Sequence, residues 1–287
     1  MRRSGCGGVC PSSFYRSRRL HRLAFNRENI EMPKIVCVIP SRYPSSRFPG
    51  KPLADLCGKP MIQHVYERAL QARDVSLAIV ATDDERIFQA VEKFGGKAAM
   101  TSPALRSGTD RIAAAVENIG LAEDDIVVNI QGDQPLFAPT QIDEVVAPLI
   151  ADAALPMSTL IYRIIRDEEI SHPNAVKVAF DHNGFALYFS RATIPFVRDK
   201  GKKAEYFKHH GIYAYRRSFL RIFAGLPEGT LENLESLEQL RALEYGYRIK
   251  VVETTYDSVE VDTPEELARV GRIIRGEENA GGNDDRH

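Results

Sequence analysis

The apolar positions of the chain follow two rhythms. Between residues 34 and 150, the short hydrophobic runs KIVCVI (34–39), LAIVAT (77–82), KAAM (97–100) and DIVVNI (125–130) alternate with stretches near 61–72, 85–94 and 109–119 that repeat at helical spacing. Runs of that length predict buried strands, and the stretches between them predict amphipathic helices. Gly95-Gly96 and Gly120 stand where two of the helices should stop, because glycine accepts the left-handed backbone that closes a helix. Such alternation predicts a parallel sheet flanked by helices.

After a helix starting near Pro139, extended segments follow in closer succession: STLIYRI from Ser158, VKVAF from Val176, FALYFS from Phe185 and HGIYAY from His210. The turn sequence DHNG at 181–184 predicts a hairpin between two of them. Leu231, Leu234, Leu237, Leu240 and Leu243 form a stripe that predicts one packed helix over 231–245. The strand RIKVVE (248–253) and a helix opened by DTPEEL complete the pattern, with Thr263 and Glu266 at capping-box spacing and Pro264 at the first helical position. The expected fold is α/β and Rossmann-like: a mainly parallel sheet flanked by helices, with a smaller mixed or antiparallel lobe. One domain should span residues 32–275, in halves of about 34–150 and 151–275, with residues 276–287 as a disordered tail.

Composition narrows the function classes. The 38 basic residues balance 39 acidic ones in 287, so neither nucleic acid nor membrane is an expected partner, and any anion site must be local. No apolar run approaches the roughly 18–20 residues that span a bilayer, and a soluble protein is expected. Cys37 lies within an apolar run, Cys57 is isolated, and no second pair completes a metal site with Cys6 and Cys10, so zinc is not expected. Residues 1–31 carry seven arginines against Glu28 and Glu31. Such a segment reads as an organelle leader or, the preferred reading with Met32 just before the first strand, as a disordered extension.

Local charge concentrates in SRYPSSRFPGKPL (41–53), which holds Arg42, Arg47 and Lys51, no acid, and prolines at 44, 49 and 52. Proline disfavours a regular helix there, and the loop follows a predicted parallel strand, where open α/β sheets place ligands. Guanidinium forks, a lysine point charge and a close backbone approach at Gly50 suit a polyphosphate. A solvated basic loop fits the composition equally well. The loop matches neither the Walker A pattern nor a GxGxxG dinucleotide turn.

With GKPMIQHVYERA after it, this loop resembles the signature of the nucleotide-sugar cytidylyltransferases, most closely those that activate the acid sugar 3-deoxy-manno-octulosonate (Kdo). Further motifs resemble the family in order: SGTDR at Ser107, VNIQGDQP at Val128, PNAVKV at Pro173, ALYFSRATIP at Ala186, HHGIYAYR at His209, LESLEQLRALEYG at Leu234 and VDTPEEL at Val261. The resemblance covers about residues 34–273. It implies transfer of the CMP moiety of CTP to Kdo with magnesium and release of pyrophosphate, for lipopolysaccharide biosynthesis. It also implies a homodimer built largely through the second half, in a Gram-negative bacterial cytoplasm, with a plant-like organelle as the alternative that the arginine-rich leader leaves open.

The resemblance assigns CTP to the first half and the acid sugar to the second. Lys51, Asp133 and Asp262 become the catalytic candidates, with Asp133 and Asp262 as the metal ligands, since magnesium needs few protein carboxylates. Taken alone, Asp133 also fits a turn after a strand, and Asp262 a residue beside a helix start. Nucleotide contacts are implied for Arg42, Arg47, Lys51, Ser107, Thr109, Arg111 and Gln131, although SGTDR equally describes a helix start with Ser107 or Thr109 as cap and Arg111 in solvent. Acceptor contacts are implied for Arg191, His209, Tyr213, Glu238 and Gln239. His209 and Tyr213 are four apart on a strand and so share a face, which leaves His210 facing the other way. Glu238 alone would read as a solvated helix residue.

One departure stands out. Where family members mostly resemble QGDEP, this chain has QGDQP, and Gln134 lacks the charge beside Asp133. The competing readings are a cytidylyltransferase for another acid sugar, such as a sialic acid or amino-Kdo, a nucleotide-binding regulatory module without catalysis, and, from fold alone, a dinucleotide oxidoreductase. The joint presence of Lys51, Asp133 and Asp262 speaks against the second of these, and the missing glycine fingerprint against the third.

Overall fold

A computed structural model describes residues 32–45, 47–199, 201–257 and 259–278. The expectations for residues 1–31, including the Cys6/Cys10 pair, and for residues 279–287 lie outside the described residues. The described residues from Pro33 to Glu278 belong to one compact unit.

The first half alternates as the apolar rhythm predicts. Strands β1 (Ile35–Ser41), β4 (Val75–Thr82), β5 (Ala98–Met100) and β6 (Ile126–Asn129) are separated by helices α1 (Met61–Ala69), α2 (Glu85–Lys93) and α3 (Gly108–Val116). Between β1 and α1 lie one 3-10 turn, Lys51–Leu53, and a two-stranded ribbon of β2 (Asp55–Leu56) and β3 (Lys59–Pro60). The ribbon is too short to leave a periodic signal. β1 pairs in parallel with both β4 and β6, and β4 with β5. Gly95 and Gly120 adopt positive φ, 81° and 69°, just beyond α2 and α3.

The second half continues the same sheet. After α4 (Thr140–Ala151) come β7 (Met157–Arg163), the short α5 (Asp167–Ser171), β8 (Lys177–Phe180), β9 (Ala186–Ser190) and β10 (Phe207–Arg216). Next are α6 (Arg217–Gly225), α7 (Thr230–Glu235), α8 (Gln239–Glu244), β11 (Ile249–Glu253) and α9 (Pro264–Ile274). The sheet order is β11-β7-β10-β6-β1-β4-β5, and the β8–β9 hairpin attaches to β10. β10 runs antiparallel to β6 and to β7, so it joins the parallel half to the remainder. At the hairpin turn the Asp181 carboxylate accepts from the backbone N–H groups of Asn183 and Phe185, both at 2.9 Å, and Gly184 takes φ 71°.

Alternation along β1 decides the layers. Val36 and Val38 face one core, shared with Ile112 of α3, Phe219 of α6 and Leu240 of α8. Ile35, Cys37 and Ile39 face the other, shared with Ile62 of α1, Ile87 of α2 and Val145 of α4. A strand apolar at every position therefore reports helices on both faces. A small third cluster, Leu56, Met61, Val261 and Val270, seats α9 against the β2–β3 ribbon.

The single helix expected over 231–245 is two. Ser236 adopts the left-handed conformation, φ 51°, and separates α7 from α8. Tertiary hydrogen bonds override the leucine periodicity here: Arg191 Nε donates to Glu235 O at 2.7 Å and Nη2 to Ser236 O at 3.3 Å. Leu237 and Leu240 are buried, whereas Leu234 is 78% exposed. The tail expectation also shifts. Gly276 takes φ 74°, and Glu278 pairs with Arg269 and Arg272, both at 2.9 Å, so residues 276–278 are held against α9.

The break between α7 and α8 is tied by a buried ion pair in which Arg241 Nε donates to Glu232 Oε2 at 2.7 Å and Nη2 to Glu232 Oε1 at 2.5 Å. Removing one partner of such a pair strands the other charge, which costs about 3 kcal/mol or more. Glu232→Ala is expected to lower unfolding stability by about that amount in urea titration, and Leu234→Ala, on the exposed side of the same turn, to leave the midpoint nearly unchanged.

Candidate active site

The basic loop leaves β1 at its carboxyl end, beside the carboxyl end of β6, and its conformation is locked locally. Gly50 has φ 72°, and its N–H donates to Tyr43 O at 3.0 Å. A Cβ at Gly50 would stand 3.0 Å from the Tyr43 ring, and the Arg86 guanidinium stacks on that ring, 3.2 Å from its centroid. Pro52 occupies the first turn of the 3-10 element, where a missing N–H costs nothing. The loop is therefore preorganised without being a regular helix.

Its cations meet two carboxylates. Lys51 Nζ donates to Asp133 Oδ2 at 2.8 Å and Asp262 Oδ1 at 3.2 Å, and Arg47 Nη1 lies 3.0 Å from Asp262 Oδ2. Asp133 follows β6, and Asp262 precedes α9, whose cap is Thr263 with Glu266 in a capping box. The Val261 N–H donates to Asp133 O at 2.9 Å and holds the two segments side by side. Burial alone would lower the Lys51 pKa, but Asp133 and then Asp262 outweigh it, and the ammonium is raised above its ordinary value. Arg42 lies in the same cleft, with Nη2 donating to Leu105 O at 2.7 Å.

The residues fit a hydrated divalent ion beside a polyphosphate. Two carboxylates converge on one point, and hard oxygen donors suit magnesium, which keeps several waters. The buried Ser41 hydroxyl in this cleft makes no hydrogen bond among the described residues. A Cβ on Gly132 would come within 2.8 Å of Ser41 Oγ and 3.3 Å of Pro40 O, so the narrow floor between the two strand ends excludes a side chain at that position. Sequence reasoning passed over Ser41, although it opens the loop and faces inward at the end of β1.

The remaining nucleotide candidates divide. Gln131 lines the cleft, its Nε2 3.4 Å from Asn129 Oδ1. Ser107 caps α3, accepting from the Asp110 N–H at 3.0 Å. Thr109 is buried and donates to Glu238 Oε2 at 2.5 Å. Arg111 is neither in solvent nor on the cleft lining: it is buried, donates to Thr101 Oγ1, and pairs with Asp83 Oδ2 at 2.8 Å. A guanidinium so enclosed holds β4 and β5 to α3, with its Nε left without a hydrogen bond among the described residues.

The acceptor candidates lie along β10 and the start of α8. A bulge inserts two residues between the pairs His210↔Leu160 and Tyr213↔Thr159, which preserves facing parity. His209 and Tyr213 therefore do share a face, with ring centroids 5.1 Å apart. His209 is half-buried by area but enclosed by Phe189 and Tyr213; this loss of solvation, then the neighbouring His210, lowers its pKa to about 3 and leaves the imidazole neutral. The Thr159 hydroxyl lies 3.0 Å from His209 Nε2. His210 faces the opposite side and is buried, with Nδ1 3.3 Å from Gln141 Nε2.

Glu238 Oε1 and Gln239 Nε2 are buried polar atoms without a hydrogen bond among the described residues. Loss of solvation raises the Glu238 carboxyl despite hydrogen bonds from Thr109 and Ser107. Such groups are what a hydroxyl-rich ligand could satisfy. Arg191 instead spends its guanidinium on backbone carbonyls of Glu235, Ser236 and Pro173. It shapes the wall through the α7–α8 break.

Gln134 turns away from the cations. It is 1% exposed, and its Nε2 donates to Glu260 Oε1 at 3.2 Å. Glu260 is exposed at its surface edge yet deep among protein atoms, so loss of solvation first, then Asp133 and Asp262, raise its carboxyl above the usual range.

Comparisons with known proteins agree on one family. A model described as cytidylyltransferase matches residues 36–250. The chain is 72% identical over 245 residues to a 3-deoxy-manno-octulosonate cytidylyltransferase of Syntrophus aciditrophicus, covering 85% of this chain and 99% of that protein. It is 56% identical over 236 residues to an 8-amino-3,8-dideoxy-manno-octulosonate cytidylyltransferase of Shewanella oneidensis, covering 82% and 96%. A solved structure of CMP:2-keto-3-deoxy-manno-octonic acid synthetase complexed with CTP superposes with a TM-score of 0.80 at 47% identity, covering 85% of this chain and all of that one.

Because the Lys51 pKa is raised in the fold, its stabilising contribution is complete below 10.5, its ordinary value, and is lost as pH rises through the folded value. The stability gap between the wild type and Lys51→Met, read from urea midpoints, is expected to hold steady across neutral pH and to close in strong alkali.

Proposed function

The chain belongs to the cytidylyltransferase family, and from that premise we propose that it transfers the CMP moiety of CTP to the anomeric hydroxyl of Kdo, giving CMP-Kdo and pyrophosphate. The observation that carries this reading is the convergence of Arg42, Arg47 and Lys51 with Asp133 and Asp262 at the carboxyl ends of β1 and β6, in a chain 72% identical to a Kdo cytidylyltransferase.

In the proposed reaction the anomeric oxygen of Kdo forms a bond to the α-phosphorus of CTP, the bond from that phosphorus to the bridging oxygen breaks, and pyrophosphate departs while the hydroxyl proton is lost to solvent. The chain's own groups act through position and charge. Arg42, Arg47 and Lys51 neutralise the triphosphate and stabilise the leaving pyrophosphate, and the Ser41 hydroxyl offers an unspent donor on the cleft floor. Asp133 and Asp262 would hold magnesium, which supplies Lewis-acid polarisation of the phosphate oxygens when bound. Lys51, now paired with the same two carboxylates, would turn its ammonium to phosphate were they to hold the ion. His209, Tyr213, Glu238 and Gln239 orient the acceptor, with the neutral His209 imidazole able to donate or accept. Ser107, Thr109 and Gln131 shape the nucleotide side, and Arg111 and Arg191 hold the walls.

A second reading is transfer to the 8-amino analogue of Kdo, favoured by the relative at 56% identity. The pathway we infer is lipopolysaccharide biosynthesis in a Gram-negative cytoplasm. No helix among the described residues is long and apolar enough to cross a membrane. We also infer a homodimer formed through the second half, supported by the exposed apolar side chains of Ile165, Leu187 and Phe196 in that half.

Pyrophosphate release is expected from purified protein with CTP, Kdo and magnesium, and not when chelator removes the metal. Release with the amino sugar alone would favour the second reading, and no release with either sugar would remove the assignment. Asp133→Asn is expected to lower kcat by at least about a hundredfold, on the scale of a lost electrostatic group, with unchanged circular dichroism and only a small drop in thermal midpoint from the lost pairing with Lys51.

A further inference from the structure

Behind Asp133 and Asp262 lies a second pair of side chains from the same two segments. Gln134 follows Asp133, Glu260 precedes Asp262 by two residues, and the carboxamide of one donates to the carboxylate of the other at 3.2 Å. Gln134 is 1% exposed and its Oε1 has no hydrogen-bond partner among the described residues. Half the capacity of a buried carboxamide is therefore unspent, a costly arrangement unless a further donor uses it. The Val261 N–H to Asp133 O bond fixes the register, so each segment contributes one acid toward Lys51 and one member of the pair behind it.

We propose that Glu260, held by Gln134, is a positioning residue of the metal site that takes hydrogen bonds from the waters of the ion bound by Asp133 and Asp262. The proposal rests on the metal reading given above. Glu260 is two residues from Asp262 and is held by the residue that follows Asp133, which places it beside the two acids and not in their place. Magnesium retains several waters, and partners of the outer layer orient ligands and tune affinity. The uncharged amide of Gln134 suits this role, because it anchors Glu260 without cancelling the charge, as a lysine would. A glutamate at position 134 would instead set carboxylate against carboxylate. Glu260 also lines the cavity that contains His209.

The test uses manganese as the probe ion, with the full chain and saturating CTP, and reads binding by electron paramagnetic resonance. Glu260→Gln is expected to weaken manganese binding by about tenfold, the scale of a lost outer-layer partner, with the thermal midpoint and metal-free CTP affinity unchanged. The exchanged double variant Gln134→Glu/Glu260→Gln, which keeps one acid and one amide, is expected to recover most of that loss. Unchanged manganese affinity in Glu260→Gln, or a double variant no tighter than that single one, overturns the proposal. If the wild type binds no manganese, the metal reading itself fails; if it binds manganese but releases no pyrophosphate, only the assigned reaction fails.

Discussion

Much of the molecule is arranged around one ammonium group. Lys51 stands between Asp133 and Asp262 at 2.8 and 3.2 Å, and those three residues come from the loop after β1, the end of β6 and the approach to α9. Two carboxylates brought together without a cation would repel in a partly dry cleft. The lysine permits that closeness. The rigid parts nearby serve the same end: the left-handed Gly50, the Tyr43–Arg86 stack and the bare floor at Gly132 fix where the charges meet.

The second constraint is β10. By running antiparallel to both β6 and β7 it joins what would otherwise be two sheets. Its bulge carries Gly211 next to the loop after β6, where a side chain would touch Gln131 at 3.6 Å and Gln134 at 3.9 Å. His209 and Tyr213 lie on a strand whose neighbour, β6, leads into Asp133. The two halves of the chain share one sheet, and their relative placement is set by backbone hydrogen bonds.

How far the sequence reveals this depends on the range of the interactions involved. Apolar runs such as KIVCVI are legible because burial on both faces leaves no polar position, and SGTDR and DTPEEL are legible because caps are local. The helix over 231–245 fails as an expectation because Arg191, from β9's end, takes the carbonyls of Glu235 and Ser236, and no periodicity in the leucines records a partner more than forty positions away. The reading of Arg111 as a solvent residue fails for the same reason, since Asp83 pairs with it from another strand end. The Gln134–Glu260 contact is likewise invisible locally, although an acid two positions before Asp262 could have prompted the question. The family resemblance brought the site residues together on paper, and only tertiary structure separates those that line the cleft from those that build its walls.

The sequence distances inside the central triad carry a consequence for synthesis. Lys51 is 82 residues from Asp133 and 211 from Asp262. During translation the first contact can close once Asp133 has emerged, whereas the second must wait for a further 129 residues, the difference between the two separations of 82 and 211. Contacts of such separation form late because loop closure is unfavourable until other packing rewards it. A nascent chain can therefore own most of the sheet while its two acids have not yet met, and the cleft is the last part of the sheet's neighbourhood to be assembled.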